Sequence, residues 1–442
     1  MFKDYFSEFK NILKGFSNEN DFVRKSFILT LGTVIAQTIP LLFYPILTRL
    51  FLPKEFGLLA ILVSITAIIN VISTGKYETA ILIAKDKKDA VNLIGVSLFL
   101  SFMFSILAII LFLFFSNILI DILHQPRLAS WIFLCPLLSF LISIYQCYNE
   151  WVVRENKFSN LAVNKIINSS SITFSNLFYG VVRLSQGGLI LGELTGRFLS
   201  AISCVYSAIR VDFYTFKSIS WKRMLFLSRI NSSCPKYVLP GQLLNTIAGQ
   251  VSILLIAFFF TEREVGLYSM TGMILYVPVS LISLTVRDVF RQKANEEFKA
   301  KGNCKSIYLK TFKIVFILSF IVFLILFLIL PMSISFFLGD KWREVGVYAQ
   351  ILCPTMMISF VAECFWGMFF IANKMKSVLL LQAQFLIFTI SAIVIGHLLF
   401  HDIKYTLICY TIGRSIVYLI NLRMTFLFAK GTNTNELSKV NQ

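Results

Sequence analysis

Apolar and polar residues follow one another along the chain in long blocks. Twelve predominantly apolar stretches of about 20 residues are separated by shorter polar segments. They cover residues 26 to 48, 57 to 75, 91 to 115, 128 to 148, 161 to 182, 186 to 207, 236 to 260, 266 to 286, 314 to 338, 346 to 371, 378 to 399 and 403 to 428. At a rise of about 1.5 Å per residue, such a stretch can cross the ~30 Å hydrocarbon core of a bilayer as a helix. The pattern predicts an all-α polytopic membrane protein with about 12 transmembrane helices.

Composition supports a membrane protein. Of 442 residues, 57% are hydrophobic and only 14% are charged, and the mean hydropathy is +0.76. Soluble globular domains carry about 25% charged residues. The eight cysteines show neither CxxC nor zinc-ligand spacing, so we expect them to be buried as small hydrophobic side chains.

The basic residues lie mostly on one side of the predicted membrane. If loops alternate between the two sides, one side holds 29 of the 41 Lys and Arg residues and the opposite loops hold eight. By the positive-inside rule, both termini are predicted to be cytoplasmic. The first 25 residues lack the pattern of a cleaved secretory signal. The net charge of +18 thus orients the chain and calls for no nucleic-acid partner.

An internal repeat divides the chain. The stretch RLFLPKEFGLLAI at residues 49 to 61 matches FFFTEREVGLYSM at 258 to 270 with an offset of 209 positions. Six spans in each half give both halves the same orientation, as in parallel repeats about an axis along the membrane normal. We therefore predict two six-helix lobes. The predicted divisions are a cytoplasmic segment 1 to 25, lobes 26 to 207 and 236 to 428, a linker 208 to 235 and a cytoplasmic tail 429 to 442.

The predicted linker alternates aromatic and basic residues. This pattern is typical of a helix lying on an anionic membrane surface, and a regulatory or partner-binding role is the alternative.

A family resemblance rests on several stretches in order along the chain. They include TRLFLPKEFG, YETAILIAKDKKDAVNL, YQCYNEWVVRENKFSNLAVNKI, GGLILGELTGRFL, PKYVLPGQLLNTIAGQ, GLYSMTGMILYVPVSLI and FLGDKWREVGVYAQILCP. Together they resemble the polysaccharide transporter branch of the multidrug/oligosaccharidyl-lipid/polysaccharide (MOP) exporter superfamily. Within that branch the chain is similar to Wzx-type flippases for O-antigen or capsule repeat units.

The resemblance implies both architecture and activity. It implies the V-shaped arrangement of two lobes found in MATE transporters, without enzymatic activity or a cofactor. It also implies translocation of undecaprenyl-pyrophosphate-linked oligosaccharide from the cytoplasmic to the outer leaflet of the inner membrane. The expected partners are this lipid-linked substrate, the bilayer, H⁺ or Na⁺ as coupling ion, and other membrane proteins of polysaccharide assembly.

A pyrophosphate group crossing the membrane needs fixed positive charge, and the planar guanidinium of arginine suits phosphate oxygens. Each basic candidate has an alternative role as a membrane anchor or as a partner in an ion pair. The candidates for the substrate cavity are Arg24, Arg49, Lys76, Arg197, Arg229, Arg287 and Arg414.

Acidic residues within the spans or just after their ends are the candidates for ion coupling, because a carboxylate in the membrane is costly and marks ion pathways in transporters, and the sequence does not choose among them. These are Glu78, Glu193, Asp288 and Glu363. Glu193 and Arg197 are four residues apart, so a purely structural ion pair is an equal alternative.

Two other functions remain open from the sequence. A drug or cation antiporter of a sister branch would share the predicted fold. A membrane polysaccharide polymerase is less favoured, because the predicted outward loops are short and the longest hydrophilic segments, 208 to 235 and 287 to 313, are predicted to be cytoplasmic. No P-loop for ATP hydrolysis is present.

Overall fold

The chain forms α-helices throughout the part that the structure, a computed structural model, describes: residues 21–123, 125–184 and 187–431. The predicted segment 1 to 25 lies outside this part except for its last five residues, and the predicted tail 429 to 442 except for its first three. The helices are α1 Asp21–Leu50, α2 Pro53–Ser73, α3 Lys87–Leu123, α4 Leu134–Arg154, α5 Phe158–Val181, α6 Gly188–Phe216, α7 Trp221–Ile230, α8 Leu239–Phe259, α9 Glu262–Lys301, α10 Lys305–Leu338, α11 Arg343–Cys364, α12 Met368–Ile371, α13 Met375–Phe400 and α14 Ile403–Ala429.

Twelve of these helices coincide with the twelve predicted spans. All but α7 and α12 are between 21 and 40 residues long. Among the described residues, nine helical segments are long and apolar enough to cross a membrane, and α4, α5 and α9 are not among them. Those three carry more polar and charged residues, several of which point into the helix bundle. The prediction of an all-α polytopic fold is confirmed.

The first compact unit comprises Ile69–Ser116, Ser130–Pro240 and the described residues before Phe51. In it, α5 packs between α1 and α6, and α4 packs on α6. Helices α5 and α6 approach each other closely at Gly196: a Cβ on this glycine would lie 2.4 Å from the Cα of Ile172. The core contains the fully buried Trp151, and α7 adds Met224 and Leu227 to it.

The predicted linker 208 to 235 is mostly helical and belongs to this unit. Helix α6 continues through a kink at Asp212 to Phe216, and α7 follows. Asp212 fixes the kink, because its carboxylate accepts hydrogen bonds from the indole of Trp151 at 3.0 Å and from Lys157 at 3.0 Å. The predicted lobe boundaries and the membrane-surface position of the linker remain predictions.

The second compact unit comprises Phe51–Ile68, Asn117–Ala129 and the chain from Gly241 onward. Here α11 packs against α9, α10 and α14, and α13 packs against α14. Aromatic side chains fill the core, including the fully buried Trp342, Tyr348 and Phe360.

The first copy of the internal repeat, from Phe51 onward, and the whole second copy lie in this second unit and contact each other reciprocally. A Cβ on Gly57 would lie 1.8 Å from the carbonyl oxygen of Glu262, and one on Gly266 would lie 1.8 Å from that of Pro53. Pro53 and Glu262 are separated by the same 209 positions as Gly57 and Gly266. The repeated glycines therefore let the first turns of α2 and α9 cross at backbone contact, where no other residue type fits.

Helix α9 extends well beyond its predicted span, which ends near residue 286. Its amino end carries a capping box in which the Thr261 N–H donates to the Glu264 carboxylate at 2.8 Å. The helix runs without interruption to Lys301 and ends at Gly302, whose φ of 70° requires the left-handed region. Most of the hydrophilic segment 287 to 313 is therefore helical, divided between α9 and α10.

Candidate functional site

Arg414 of α14 lies among aromatic rings in the second unit. Tyr410 and Tyr418 are one helical turn before and after it, so all three side chains share a face. The guanidinium carbon lies 4.7 Å from the ring centroid of Phe385, 5.5 Å from that of Tyr418 and 5.9 Å from that of Tyr410. Its nitrogens donate to Thr389 Oγ1 at 3.4 Å and to the Tyr418 hydroxyl at 3.3 Å.

Within the described residues, no carboxylate lies at ion-pair distance from Arg414. Glu363 of α11 does interact electrostatically with both Arg287 of α9 and Arg414. The three residues therefore form a group with two cations and one carboxylate. Cation–π contacts contribute about 2 kcal/mol when desolvated, which offsets only part of the cost of keeping a guanidinium from water.

Tyrosines of α9 connect this group to the repeat. Tyr268 donates its hydroxyl proton to Tyr410 at an oxygen separation of 3.2 Å. Tyr276 interacts electrostatically with Glu363 and Arg287. We call Arg287, Glu363 and Arg414 with these rings the arginine site; its charged residues come from α9, α11 and α14.

Glu193 and Arg197 pair in the first unit. Arg197 Nε donates to Glu193 Oε1 at 2.8 Å, and the two side chains are only 22% and 10% exposed. Tyr44 of α1 interacts electrostatically with the same carboxylate. This geometry is the i,i+4 ion pair expected from the spacing, and the Glu193 carboxylate is the member that interacts with α1.

Lys76 and Glu78 also pair, in the turn between α2 and α3. Their Nζ and Oε1 atoms are 2.9 Å apart, and the side chains are 12% and 5% exposed. Lys76 has a φ of 60°, directly after Gly75 with the same value, so the turn contains two left-handed residues. Nearby, the Tyr77 hydroxyl donates to the Ser228 carbonyl at 3.0 Å, and burial raises the pKa of that tyrosine.

The structure does not bring the remaining candidates into these groups. Arg49 is exposed in the last turn of α1, Arg229 is exposed on α7 and Asp288 is exposed on α9. Arg24 lies in α1 at a position whose side chain is outside the described part of the chain.

A polar stripe on α5 was not singled out from the sequence. Lys165 donates to Thr33 Oγ1 of α1 at 2.9 Å. On the same helix, the Oδ1 atoms of Asn168 and Asn176 are buried and have no hydrogen-bond partner among the described residues. The signal was available, because polar residues recur every three or four positions in NLAVNKIINSSSITFSN.

A cavity of about 850 Å³ lies in the second unit beside the repeat crossing. Arg127 stands at its edge, with Nη1 3.0 Å from Glu262 and Nη2 3.3 Å from Glu55. Its hydrogen bond to Glu262 raises the pKa of Arg127 despite partial burial. Phe258, Phe259 and Phe260 form an apolar wall opposite these charges.

Residues 46–347 match the sequence model of a protein family that is described as polysaccharide biosynthesis protein. The chain belongs to this family. No curated protein matches the chain.

Solved structures of transporters share the fold of this family member. An inward-facing multidrug resistance MATE family transporter of the MOP superfamily aligns with a TM-score of 0.70 and 14% identity, over 89% of this chain and 97% of that one. The lipid II flippase MurJ in an inward closed conformation aligns with a TM-score of 0.67 and 13% identity, over 92% and 90%. A MOP superfamily transporter from Pyrococcus furiosus aligns with a TM-score of 0.56 and 16% identity, over 92% of this chain and 97% of that one.

The match to the polysaccharide biosynthesis family confirms the family part of the resemblance, and the fold is one that transporters of the MOP superfamily also have. The chain is a multi-pass membrane protein. The family match contains Arg287 but ends before Glu363 and Arg414. Two of the three charged residues of the arginine site therefore come from a part of the chain that the match does not cover.

Proposed function

We propose that this polysaccharide biosynthesis protein is an inner-membrane flippase with both termini in the cytoplasm. Its substrate is an oligosaccharide unit of O-antigen or capsule linked to undecaprenyl pyrophosphate, which it moves from the cytoplasmic to the outer leaflet. Support comes from the family and from a fold shared with transporters and with a protein described as the lipid II flippase.

The arginine site carries the proposal. Among the residues that the structure describes, Arg414 is held by rings and hydroxyl groups and not by a carboxylate, and Glu363 interacts with both Arg287 and Arg414. The surplus of positive charge suits an anionic ligand, and a guanidinium can bind two phosphate oxygens at once. In our proposal the pyrophosphate binds Arg287 and Arg414 after the aromatic rings move apart.

Transport then follows from alternating access. The two predicted lobes, 26 to 207 and 236 to 428, rock while the polyprenyl chain stays in the lipid. A fixed cation in a wet path lowers the barrier that a pyrophosphate would meet in hydrocarbon. The other basic candidates, Arg24, Arg49, Lys76, Arg197 and Arg229, remain proposals for the rest of that path.

Among the four acidic candidates, we propose Glu363 as the residue that couples transport to H⁺ or Na⁺. An ionised Glu363 competes with a pyrophosphate for the same two guanidinium groups, and a proton or sodium ion on Glu363 changes that competition. Glu193 and Glu78 each already have a basic partner at 2.8 to 2.9 Å, and Asp288 is exposed.

The experiment that tests the function is a clean deletion in the native host. Undecaprenyl-pyrophosphate-linked oligosaccharide is extracted with its leaflet assigned, and surface glycan is examined on a gel. We expect single repeat units to accumulate at the cytoplasmic face and surface polymer to disappear, with both defects reversed by the wild-type gene on a plasmid.

Two other outcomes would contradict the flippase. Loss of polymer with single units already in the outer leaflet would indicate a polymerase. Unchanged glycan with altered drug tolerance would indicate the antiporter; the MATE neighbour is described as a multidrug resistance transporter.

A further inference from the structure

An apolar groove of about 670 Å³ lies between α4 and α6 in the first unit. On α4 it extends from Leu137 to Ile144, and on α6 from Leu194 to Ile209. Its volume falls within the range of about 300 to 1,000 Å³ that is typical of small-molecule sites. We call it the α4/α6 groove.

The groove arises from the periodicity of α6. Leu194, Phe198, Ala201, Val205 and Ile209 recur every three or four residues and so share one face of the helix. Ala201 is only 3% exposed, while Phe198 and Val205 on either side of it are 53% and 44% exposed. The small alanine thus forms the floor and the larger side chains form the walls.

The lining offers an entering molecule almost no hydrogen bonds. Its hydroxyl groups are those of Thr195 and Tyr206. Thr195 already donates to the Leu191 carbonyl of its own helix at 2.8 Å, and Tyr206 lies near the end of the groove. An occupant therefore has to be a hydrocarbon over most of its length.

The groove also runs along the membrane-crossing direction. The 15 residue steps from Leu194 to Ile209 on α6 correspond to about 22 Å of helix, or roughly three quarters of the ~30 Å hydrocarbon core. Dividing the volume by this length gives a mean cross-section of about 30 Å². That width leaves space for the methyl branches of an isoprenoid chain.

A cation lies at one end of the groove. The positive-inside rule predicts that this end is on the cytoplasmic side. Arg210 directly follows Ile209, is exposed, and forms no ion pair with any described residue. The neighbouring cation Lys157 is already neutralised by Asp212 at 3.0 Å. An apolar track ending at an unneutralised guanidinium complements a lipid with a long chain and a phosphate head.

We propose that the α4/α6 groove binds the polyprenyl chain of the lipid carrier, with the carrier phosphate at Arg210, in a docking step separate from pyrophosphate binding at the arginine site. The proposal rests on the proposed function and deepens it: the lipid part of the substrate docks on the outside of the first unit while the sugars follow a separate path. Ordinary phospholipid acyl chains are the competing occupant.

Native mass spectrometry of the purified full chain in detergent tests this proposal. The probes are undecaprenyl phosphate, undecaprenol and dioleoyl phosphatidylglycerol. Val205→Trp fills the groove, and Val163→Trp is the matched control at a similarly exposed valine of α5 that lies outside the groove lining. We expect V205W to reduce undecaprenyl phosphate adducts at least tenfold and V163W to leave them unchanged, with phosphatidylglycerol adducts equal in all variants.

Arg210→Ala provides a second, less disruptive test. It should weaken binding of undecaprenyl phosphate about fivefold and leave undecaprenol unaffected, because only the former carries the charge. Equal adducts in V205W and wild type, or a parallel loss of phosphatidylglycerol, would overturn the proposal. If V205W reduces undecaprenyl phosphate binding but deletion of the gene leaves surface glycan intact, the flippase is rejected and the lipid site is kept. If deletion removes surface glycan but V205W leaves binding unchanged, only the groove is rejected.

Discussion

Arg414 is the residue on which the proposed transport site depends most. Arg414→Ala should reduce the amount of surface polysaccharide at least tenfold while the protein level stays unchanged. The reason is that, in the described structure, Arg414 is the cation that contacts Phe385, Tyr410 and Tyr418. Arg414→Lys should restore only part of the activity, since an ammonium cannot bind phosphate through two parallel hydrogen bonds. A surface-glycan gel and an immunoblot measure both quantities.

The matched control is Arg423→Ala. Arg423 lies nine residues further along the same helix and is exposed. It should keep full surface polysaccharide. Wild-type glycan in R414A, or equal loss in R423A, would show that the arginine site does not bind substrate.

The sequence predicted which charges enter the membrane but not which of them meet. Glu363 and Arg414 were each recognisable as costly within an apolar stretch, and Arg287 as a cation directly after the predicted span 266 to 286. Their proximity depends on the rotation and packing of α9, α11 and α14, which no local pattern specifies. Glu193 and Arg197 were predictable as a pair, because both lie on one helix four residues apart.

Buried thiols make a separate prediction at the residue scale. All eight cysteines are free and seven are buried, with Cys409 partly exposed. Burial raises the pKa of Cys304 to about 11, so at pH 8 only about one molecule in a thousand carries its thiolate. A colorimetric thiol assay of the folded protein at pH 8 should therefore detect at most one group, and all eight after unfolding in SDS. Rapid reaction of several thiols before unfolding would contradict the described burial.

At the scale of helices, the crossing of α2 and α9 offers a sharp test. In Gly57→Ala the new Cβ would lie 1.8 Å from the carbonyl oxygen of Glu262, so the helices have to move apart. We expect a loss of about 1 to 3 kcal/mol in stability, as for overpacked cores. Thermal unfolding in detergent measures the change.

Gly249→Ala of α8 provides a control in which the expected change in stability has the opposite sign. Within the described part of the chain, no atom other than the adjacent backbone of its own helix lies within 4 Å of its Cβ position, so the substitution only removes the flexibility of a helical glycine. It should raise stability by about 0.5 to 1 kcal/mol. Equal melting temperatures for the two variants would argue against a tight crossing.

Helix positions followed from the hydrophobic pattern better than helix lengths did. The twelve long helices match the predicted spans because each span needs about 20 apolar residues. Helix α9 extends to Lys301 because the polar residues after 286 are still good helix formers, and a hydropathy pattern does not register them. The reciprocal glycine contact was visible in the sequence only as an unexplained repeat.

The orientation of the whole molecule follows from its charge asymmetry and has a direct test. Lys301 at the end of α9 and Lys341 after α10 are both exposed lysines, predicted on opposite sides of the membrane. Single Lys301→Cys and Lys341→Cys variants are treated with a membrane-impermeant maleimide in intact spheroplasts. We expect labelling of K341C at once and of K301C only after permeabilisation.

The wild-type protein controls this experiment, because seven of its eight thiols are buried and should stay unlabelled. Labelling of K301C in intact spheroplasts would invert the predicted orientation. Arg210, at the end of the α4/α6 groove, would then lie in the outer leaflet, and the groove would meet the lipid carrier after translocation and not before it. The same two variants therefore decide the direction in which the proposed binding steps follow one another.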